Sequence, residues 1–160
     1  MIIDILNSCL FYEFDSGKFN ILAHCVNCQK KMGSGVAKQV KLRYNVAYEK
    51  YMSNQKLKPL GDSQIVEIGE YKYVSNIYGQ EFYGNEKGKV CVDYNALLKA
   101  LHKTFAFAKE RDYAIGFPHL FASDRAGGDW KGKILPMIEE LSNSYNVDVF
   151  IVRQPVIENL

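Results

Sequence analysis

Polar side chains that could take part in chemistry stand between a predicted strand and a glycine-rich helix start. The apolar run at residues 21–25 predicts a buried strand, with His24 and Asn27 at its carboxyl end. Gly33-Ser34-Gly35 then precedes residues with helical spacing. In open α/β sheets the ligand crevice lies at the carboxyl ends of strands, and a helix amino terminus offers free backbone N–H groups to a phosphate. Residues 23–37 therefore predict a site for a nucleotide or another phosphate ester.

Two further loops carry glycines. Residues 113–117 predict a strand that ends at Pro118, and the loop Ala-Ser-Asp-Arg-Ala-Gly-Gly follows at 122–128. Residues 79–89 contain three glycines and two aromatics without any periodicity. Because a loop of that length in a compact domain is more often functional than idle, we expect a functional role for it.

The elements that must position these loops alternate along the chain. Strands are predicted at residues 1–7, 19–25, 64–68, 70–78, 113–117 and 147–152, and helices at 33–44, at 46–52, after Asp93 and after Asp129. Residues 9–14 fit either a short helix or a bulged continuation of the first strand. Pro136 requires that the last helix either bend or start its regular part late. The pattern predicts an α/β fold with a mixed sheet and helices on both faces.

Composition and charge narrow the classes of function. A chain of 160 residues is long enough for one core, so we expect a single domain over residues 1–160. The net charge of +2 comes without a long basic run, which argues against nucleic-acid binding driven by charge alone. No apolar run approaches a membrane span and no signal-peptide pattern opens the chain. We therefore expect a cytoplasmic monomer with no membrane partner.

The four cysteines raise the question of a metal or redox site. Cys25 and Cys28 form one C-x-x-C beside His24, without the second pair that is typical of a structural zinc site. Buried free thiols in a reducing compartment fit better, so we expect no metal.

The two phosphate-type loops together resemble those of a known family. The stretch AHCVNCQKKMGSGVAKQVKLRY is similar to the opening motif of macro domains, which bind ADP-ribose. Within that family it resembles the branch linked to ADP-ribose 1″-phosphate phosphatases and ADP-ribosyl-ester hydrolases. FPHLFASDRAGGDW resembles that branch's second phosphate loop. The resemblance covers nearly the whole chain and implies a three-layer α/β/α macro domain fold, with ADP-ribose across the top of a mixed central sheet and no cofactor.

The resemblance also implies site residues. Asn27 would contact the hydroxyls of the distal ribose, and Asn7 or Ser8 stands where an acidic residue commonly holds the adenine. The other residues that it assigns to substrate binding are Met32, Gly33, Ser34, Gly35 and Val36 on one side and Ser123, Asp124, Arg125, Ala126, Gly127 and Gly128 on the other. Asp124 departs from the pattern, because it puts a carboxylate where a glycine is expected beside a diphosphate. Neither Lys87 nor Lys89 matches the lysine of the hydrolases that act on ADP-ribosyl-glutamate.

Several of these residues have a second interpretation. His24 could move a proton to or from a water, or could make a single backbone hydrogen bond at the strand end. Asn27 could hold the ribose or cap the turn, and Asp129 could position water or cap the next helix. Asp124 could act as a base if its pKa were raised, or could be solvated. Arg125 could pair with a phosphate or could be an exposed loop residue. An aromatic side chain could contact the ligand or pack in the core at Tyr78, Phe82, Tyr83, Phe121 and Trp130.

The function expected from these residues is binding of ADP-ribose or a derivative, with hydrolysis of a group at the 1″ position assisted by His24. ADP-ribose 1″-phosphate is the expected substrate of such a phosphatase. One alternative is an ADP-ribosyl hydrolase that acts on a modified macromolecule, which predicts an open cleft at the distal ribose. The other is a binding module without catalysis.

Overall fold

A computed structural model describes residues 1–83, 90–123 and 126–155. The described residues form six strands: β1 (Ile2–Ile5), β2 (Ile21–Val26), β3 (Ser63–Gly69), β4 (Lys72–Tyr78), β5 (Ile115–Pro118) and β6 (Val149–Val152). They make one sheet in the order β1-β6-β5-β2-β4-β3. Neighbouring strands are parallel, apart from the antiparallel hairpin of β3 and β4. The predicted mixed sheet is confirmed, as is the hairpin that Gly69 predicts between the strands at residues 64–68 and 70–78.

The helices confirm the predicted alternation and decide its two open points. They are α1 (Leu10–Asp15), α2 (Gly35–Arg43), α3 (Asn45–Met52), α4 (Tyr94–Arg111) and α5 (Leu135–Tyr145). The segment after β1 is thus a helix. A π-helical turn, Trp130–Ile134, precedes α5, and Pro136 lies in the first turn of α5, where its missing N–H costs little. The regular part of the last helix therefore starts late.

Apolar side chains alternate between the two faces of the sheet. On β2, Ile21 and Ala23 belong to the core cluster formed with α4 and α5. Leu22 belongs to the opposite cluster, formed with α1, α2 and α3. This period of two is expected for a strand that is buried on both faces, and it confirms the layers of helix, sheet and helix. None of the helices in the described residues is long and apolar enough to cross a membrane.

The parallel strands bring the functional loops to one edge of the sheet. β2 lies between β5 and β4, so the loops that leave the carboxyl ends of β2 and β5 are neighbours. Gly116 of β5 leaves room for the ring of Phe19, which a Cβ atom at position 116 would overlap.

Candidate ligand-binding cleft

A cavity of about 130 Å³ lies at the carboxyl ends of β2 and β5. We call it the inner cavity. The end of β2 and the loop that follows it form one wall, the start of α2 forms the second, and residues 118–123 form the third. Asn27, Gln80 and Tyr83 mark its far end.

A second cavity, of about 710 Å³, continues the first toward β1 and β6. We call it the outer cavity; it lies between α1, α2 and the end of β6. The two cavities share the residues between them, Gly35, Val36, Pro118, His119 and Leu120. Together they form a single elongated cleft across the carboxyl edge of the sheet, as expected for a ligand with two ends.

The amino terminus of α2 stands at the junction of the two cavities. Ser34 precedes the helix in extended conformation and makes no capping hydrogen bond with its side chain. Gly35, at a φ of 61°, and Val36 begin the helix and line both cavities. First-turn N–H groups have no acceptor within a helix, and no acidic side chain stands in this first turn. The geometry suits an anion at the middle of the cleft.

The loop after β5 is held in an uncommon conformation. Leu120 and Ala122 have φ values of 65° and 58°, in the left-handed region that residues with a Cβ atom rarely adopt. Both line the inner cavity. Ser123 lines it as well and donates its hydroxyl to the carbonyl of Phe121 at 3.2 Å. Ala126 completes this wall. Backbone strain of this kind concentrates at ligand sites, where the surrounding packing maintains it.

His24 belongs to a buried polar network. Its side chain is 1% exposed, and its Nε2 lies 2.6 Å from Oδ1 of Asn76 on β4. The Asn76 amide nitrogen donates to the carbonyl of Ala47 and to Gln64 Oε1, so its Oδ1 is the acceptor and His24 donates. Burial lowers the pKa of His24 to about 4, against the opposing effect of the Asn76 hydrogen bond. The imidazole is therefore neutral at pH 7. His24 also lines the inner cavity, and its buried Nδ1 has no hydrogen-bond partner among the described residues.

Asn27 shapes the turn that follows β2. Its Oδ1 accepts from the backbone N–H of Gln29 and of Lys31, at 3.0 and 3.2 Å, and its amide donates to the Lys31 carbonyl. The hydroxyl of Tyr51 lies 2.6 Å from its carbonyl oxygen and 2.8 Å from its Oδ1. Asn27 lines the inner cavity but is only 5% exposed. It fixes the turn, and one amide N–H beyond these bonds can face a ligand.

Four other predicted ligand residues do not line either cavity. Met32 is 3% exposed and packs with Val26, Tyr51 and Tyr78. The other three are exposed or engaged elsewhere: Asn7 is exposed at a φ of 55°, Ser8 donates its hydroxyl to Glu13 at 2.7 Å, and Gly33 has open space around its Cα. Asn7 and Ser8 adjoin Cys9, which does line the outer cavity.

The end of the second loop has a mainly structural geometry. Gly127 has a φ of 72°, and a Cβ atom on Gly128 would lie 2.5 Å from the Ala122 carbonyl oxygen. Asp129 accepts a hydrogen bond from the N–H of Gly132 at 2.9 Å and so caps the π-helical turn. None of these three is among the described residues that line the cavities. Asp124 and Arg125 lie outside the described residues, as do Lys87 and Lys89.

The cysteines beside the cleft are packed free thiols. Burial raises the pKa of Cys25 to about 12, and burial followed by the nearby Glu81 raises the pKa of Cys28. Thiols with raised pKa values are poor metal ligands and poor nucleophiles. No group of three potential metal-binding side chains occurs in the part of the chain that the structure describes.

Several residues that line the cleft are absent from the set predicted from the sequence; they include Gln80, His119 and Leu120 and, in the outer cavity, Arg43 and Arg153. Gln80 is 7% exposed and lines the inner cavity, and His119 and Leu120 line both cavities. His119 and Leu120 belong to the quoted motif FPHLFASDRAGGDW, so their place directly after Pro118 was an available signal. Tyr83 and Phe121 line the inner cavity, whereas Trp130 is 7% exposed and packs edge-on against His119.

A third cavity, of about 570 Å³, adjoins the inner cavity at Asn27. Tyr51, Tyr78 and Phe82 line it, together with Lys30, Lys56, Lys58 and Glu81. The inner cavity thus has further space beyond its far end.

Comparison with known proteins identifies the fold. No protein-family model matches the sequence, and no curated protein is significantly similar to it. Among solved structures, a protein of unknown function from Bacteroides thetaiotaomicron is 22% identical with a TM-score of 0.83, over 96% of this chain and 98% of that chain. A macrodomain protein from Streptomyces coelicolor is 21% identical with a TM-score of 0.73, over 97% of this chain and 100% of that chain. Thermosipho africanus DarTG in complex with ADP-ribose is 15% identical with a TM-score of 0.71, over 92% of this chain and 41% of that chain. The sheet order, the helical layers and these similarities together identify the chain as having the macrodomain fold.

Proposed function

We propose that the cleft binds ADP-ribose or a derivative of it. The observation that carries this proposal is the amino terminus of α2 at the junction of two continuous cavities. A diphosphate in the middle of an elongated ligand would face the N–H groups of Gly35 and Val36. The similarity to a structure solved in complex with ADP-ribose supports the same ligand.

In this arrangement the two ends of the ligand enter different cavities. The distal ribose occupies the inner cavity, near Asn27, Gln80 and Tyr83. The adenosine occupies the larger outer cavity, where the buried Leu10 and Phe11 offer apolar surface to a base. The strained loop at Leu120 and Ala122 closes over the diphosphate from the side opposite α2. The diphosphate is then held by groups fixed before the ligand arrives.

The first experiment is a calorimetric titration with ADP-ribose. Gly35→Ala places a Cβ atom at a φ of 61°, which costs about 1–2 kcal/mol and displaces the first turn of α2. We expect Gly35→Ala to weaken ADP-ribose binding about tenfold. Gly33→Ala is the matched control, because nothing lies within 4 Å of a Cβ atom there. Absence of heat with the wild-type protein, or equal weakening by both variants, would contradict the proposal.

Hydrolysis of a group at the 1″ position is a second candidate function. The third cavity favours it, because space beyond Asn27 could receive a group attached to the distal ribose. A phosphate would need little of that space, so an ADP-ribosylated macromolecule fits this opening at least as well. A module that only binds ADP-ribose would not use the third cavity.

We propose that His24 acts in this reaction as a positioning residue, since it holds β2 to β4 through Asn76. Incubation with ADP-ribose 1″-phosphate should release phosphate. His24→Gln, which keeps an N–H donor toward Asn76, should retain turnover with an unchanged pH profile, whereas His24→Ala should lose most of it. Loss of turnover in both variants would instead indicate proton transfer by His24. Binding of ADP-ribose without any phosphate release would leave a binding module or a hydrolase of modified macromolecules.

A further inference from the structure

The outer cavity combines a buried apolar floor with cations at its edge. Leu10, Phe11 and Val152 line it and are at most 3% exposed. Arg43 and Arg153 line it and are exposed. A floor of this kind accepts a flat base, and a guanidinium group recognises a phosphate through a planar fork of N–H donors. The cavity therefore suits a nucleoside that carries a phosphate.

Both arginines are attached to fixed parts of the fold. Arg43 is the last residue of α2, and its guanidinium carbon lies 4.9 Å from the centre of the Phe11 ring. Arg153 follows β6; its N–H donates to the carbonyl of Ile5 at 2.9 Å, and its own carbonyl accepts from Ser8 at 3.2 Å. The two cations thus approach the cavity from α2 and from the β1–β6 edge.

The charged side chains that line the outer cavity are all cationic among the described residues. No carboxylate belongs to its lining as far as the described residues extend. Burial and the neighbouring Arg153 lower the pKa of His119, and the more modest effect of Asp4 opposes them. At pH 7 His119 is then neutral, so the charge of the lining comes from the two guanidinium groups. An anion in the cavity would be attracted by these two guanidinium groups and opposed by Asp4, which lies outside the lining.

This cationic edge is distinct from the place proposed for the diphosphate. Arg43 stands eight residues after Gly35 on the same helix, which separates their backbones by about 12 Å along the helix axis. The diphosphate of ADP-ribose at the start of α2 would leave Arg43 unused. A further phosphate, on the adenosine side of the ligand, would engage it.

We propose that the outer cavity is a subsite for a phosphate on the adenosine ribose, so that the preferred ligand is an ADP-ribose derivative phosphorylated at the 2′ or 3′ oxygen. This inference rests on the proposed function for its orientation of the ligand. The adenine lies on the apolar floor, and the additional phosphate pairs with Arg43 and Arg153.

The test compares ligands that differ by that one phosphate. Calorimetry with ADP-ribose and with ADP-ribose 2′-phosphate should show at least about tenfold tighter binding of the phosphorylated ligand, as expected for charge-assisted hydrogen bonds. Titration with 5′-AMP, adenosine 2′,5′-bisphosphate and adenosine 3′,5′-bisphosphate then distinguishes the two oxygen positions. Arg43→Gln and Arg153→Gln should each remove most of the preference for the phosphorylated ligand over ADP-ribose.

Arg111→Gln is the matched control, since it removes a guanidinium that stacks on Phe107 of α4, outside the cleft. It should preserve the preference for the phosphorylated ligands. Equal affinity for ADP-ribose and its 2′-phosphate, with no preference among the adenosine phosphates, would overturn the subsite and leave the proposed function intact. A preference that Arg111→Gln reduces as much as the other two variants would also overturn it. Tight binding of an adenosine bisphosphate without binding of ADP-ribose would uphold the subsite and overturn the proposed function.

Discussion

The strand face on which His24 lies determines its burial and its hydrogen-bond partner. On a strand, alternate side chains point to opposite faces, and His24 shares its face with Leu22 and Val26. It therefore turns under α2 and α3 and bonds to Asn76 instead of extending past the strand end. The sequence predicts the polar residue at the end of β2, but its burial depends on the pairing register of β2 with β4.

The burial of His24 should make the protein sensitive to acid. Its pKa is about 4 in the folded state and near 6.5 when exposed. Between these values the unfolded chain binds a proton that the folded state excludes, so stability is complete above pH 6.5 and falls as the pH approaches 4. The loss amounts to roughly 3 kcal/mol. Urea unfolding across this pH range measures it.

His24→Gln provides the comparison for that measurement. Glutamine cannot take up a proton, so this variant should lose most of the decline that the wild-type protein shows between pH 6.5 and 4. His119, whose pKa is also lowered, would leave a smaller decline of the same sign. An identical pH dependence in His24→Gln and the wild-type protein would contradict the assignment to His24.

At the scale of elements, the start of the last helix gives Asp129 its role. Its carboxylate caps the π-helical turn at Gly132, as Asp93 caps α4 at the N–H of Ala96. Asp129→Ala should therefore lower the free energy of unfolding by about 1 kcal/mol, with a similar loss for Asp93→Ala. Both variants should bind ADP-ribose as the wild-type protein does, which calorimetry and urea unfolding can check together. Weakened binding or lost turnover in Asp129→Ala alone would indicate that Asp129 takes part in ligand binding or catalysis.

The sequence predicts where α2 begins but not the backbone conformation of the loop after β5. The glycine at position 35 is typical of a helix start at a phosphate site, and this is where α2 begins. The left-handed conformations of Leu120 and Ala122 have no such signal, because neither residue type favours them. Hydrogen bonds within the loop accompany them, from the N–H of Ser123 to the carbonyl of Leu120 and from the N–H of Gly128 to the carbonyl of Ala122.

At the scale of the whole molecule, the alternation of strands and helices was sufficient to predict the layers. Apolar periodicity located the strands and the helices after α1 to within a few residues, and Gly69 indicated the hairpin of β3 and β4. It did not decide between a helix and a bulged strand at residues 9–14. The order of strands in the sheet is a different kind of information, since it depends on contacts between distant parts of the chain. The outer cavity depends on that order too, because it lies where α1, α2 and the end of β6 meet.

The place of β1 in the sheet has a consequence for biosynthesis. β1 pairs with β6 and with no other described strand, although residues 2–5 leave the ribosome long before residues 149–152. During translation the isoleucines of β1 therefore have no partner strand while β2, β3 and β4 come together. The β1 edge of the sheet is therefore completed last, and until then the nascent chain exposes an apolar strand of the kind that chaperones recognise.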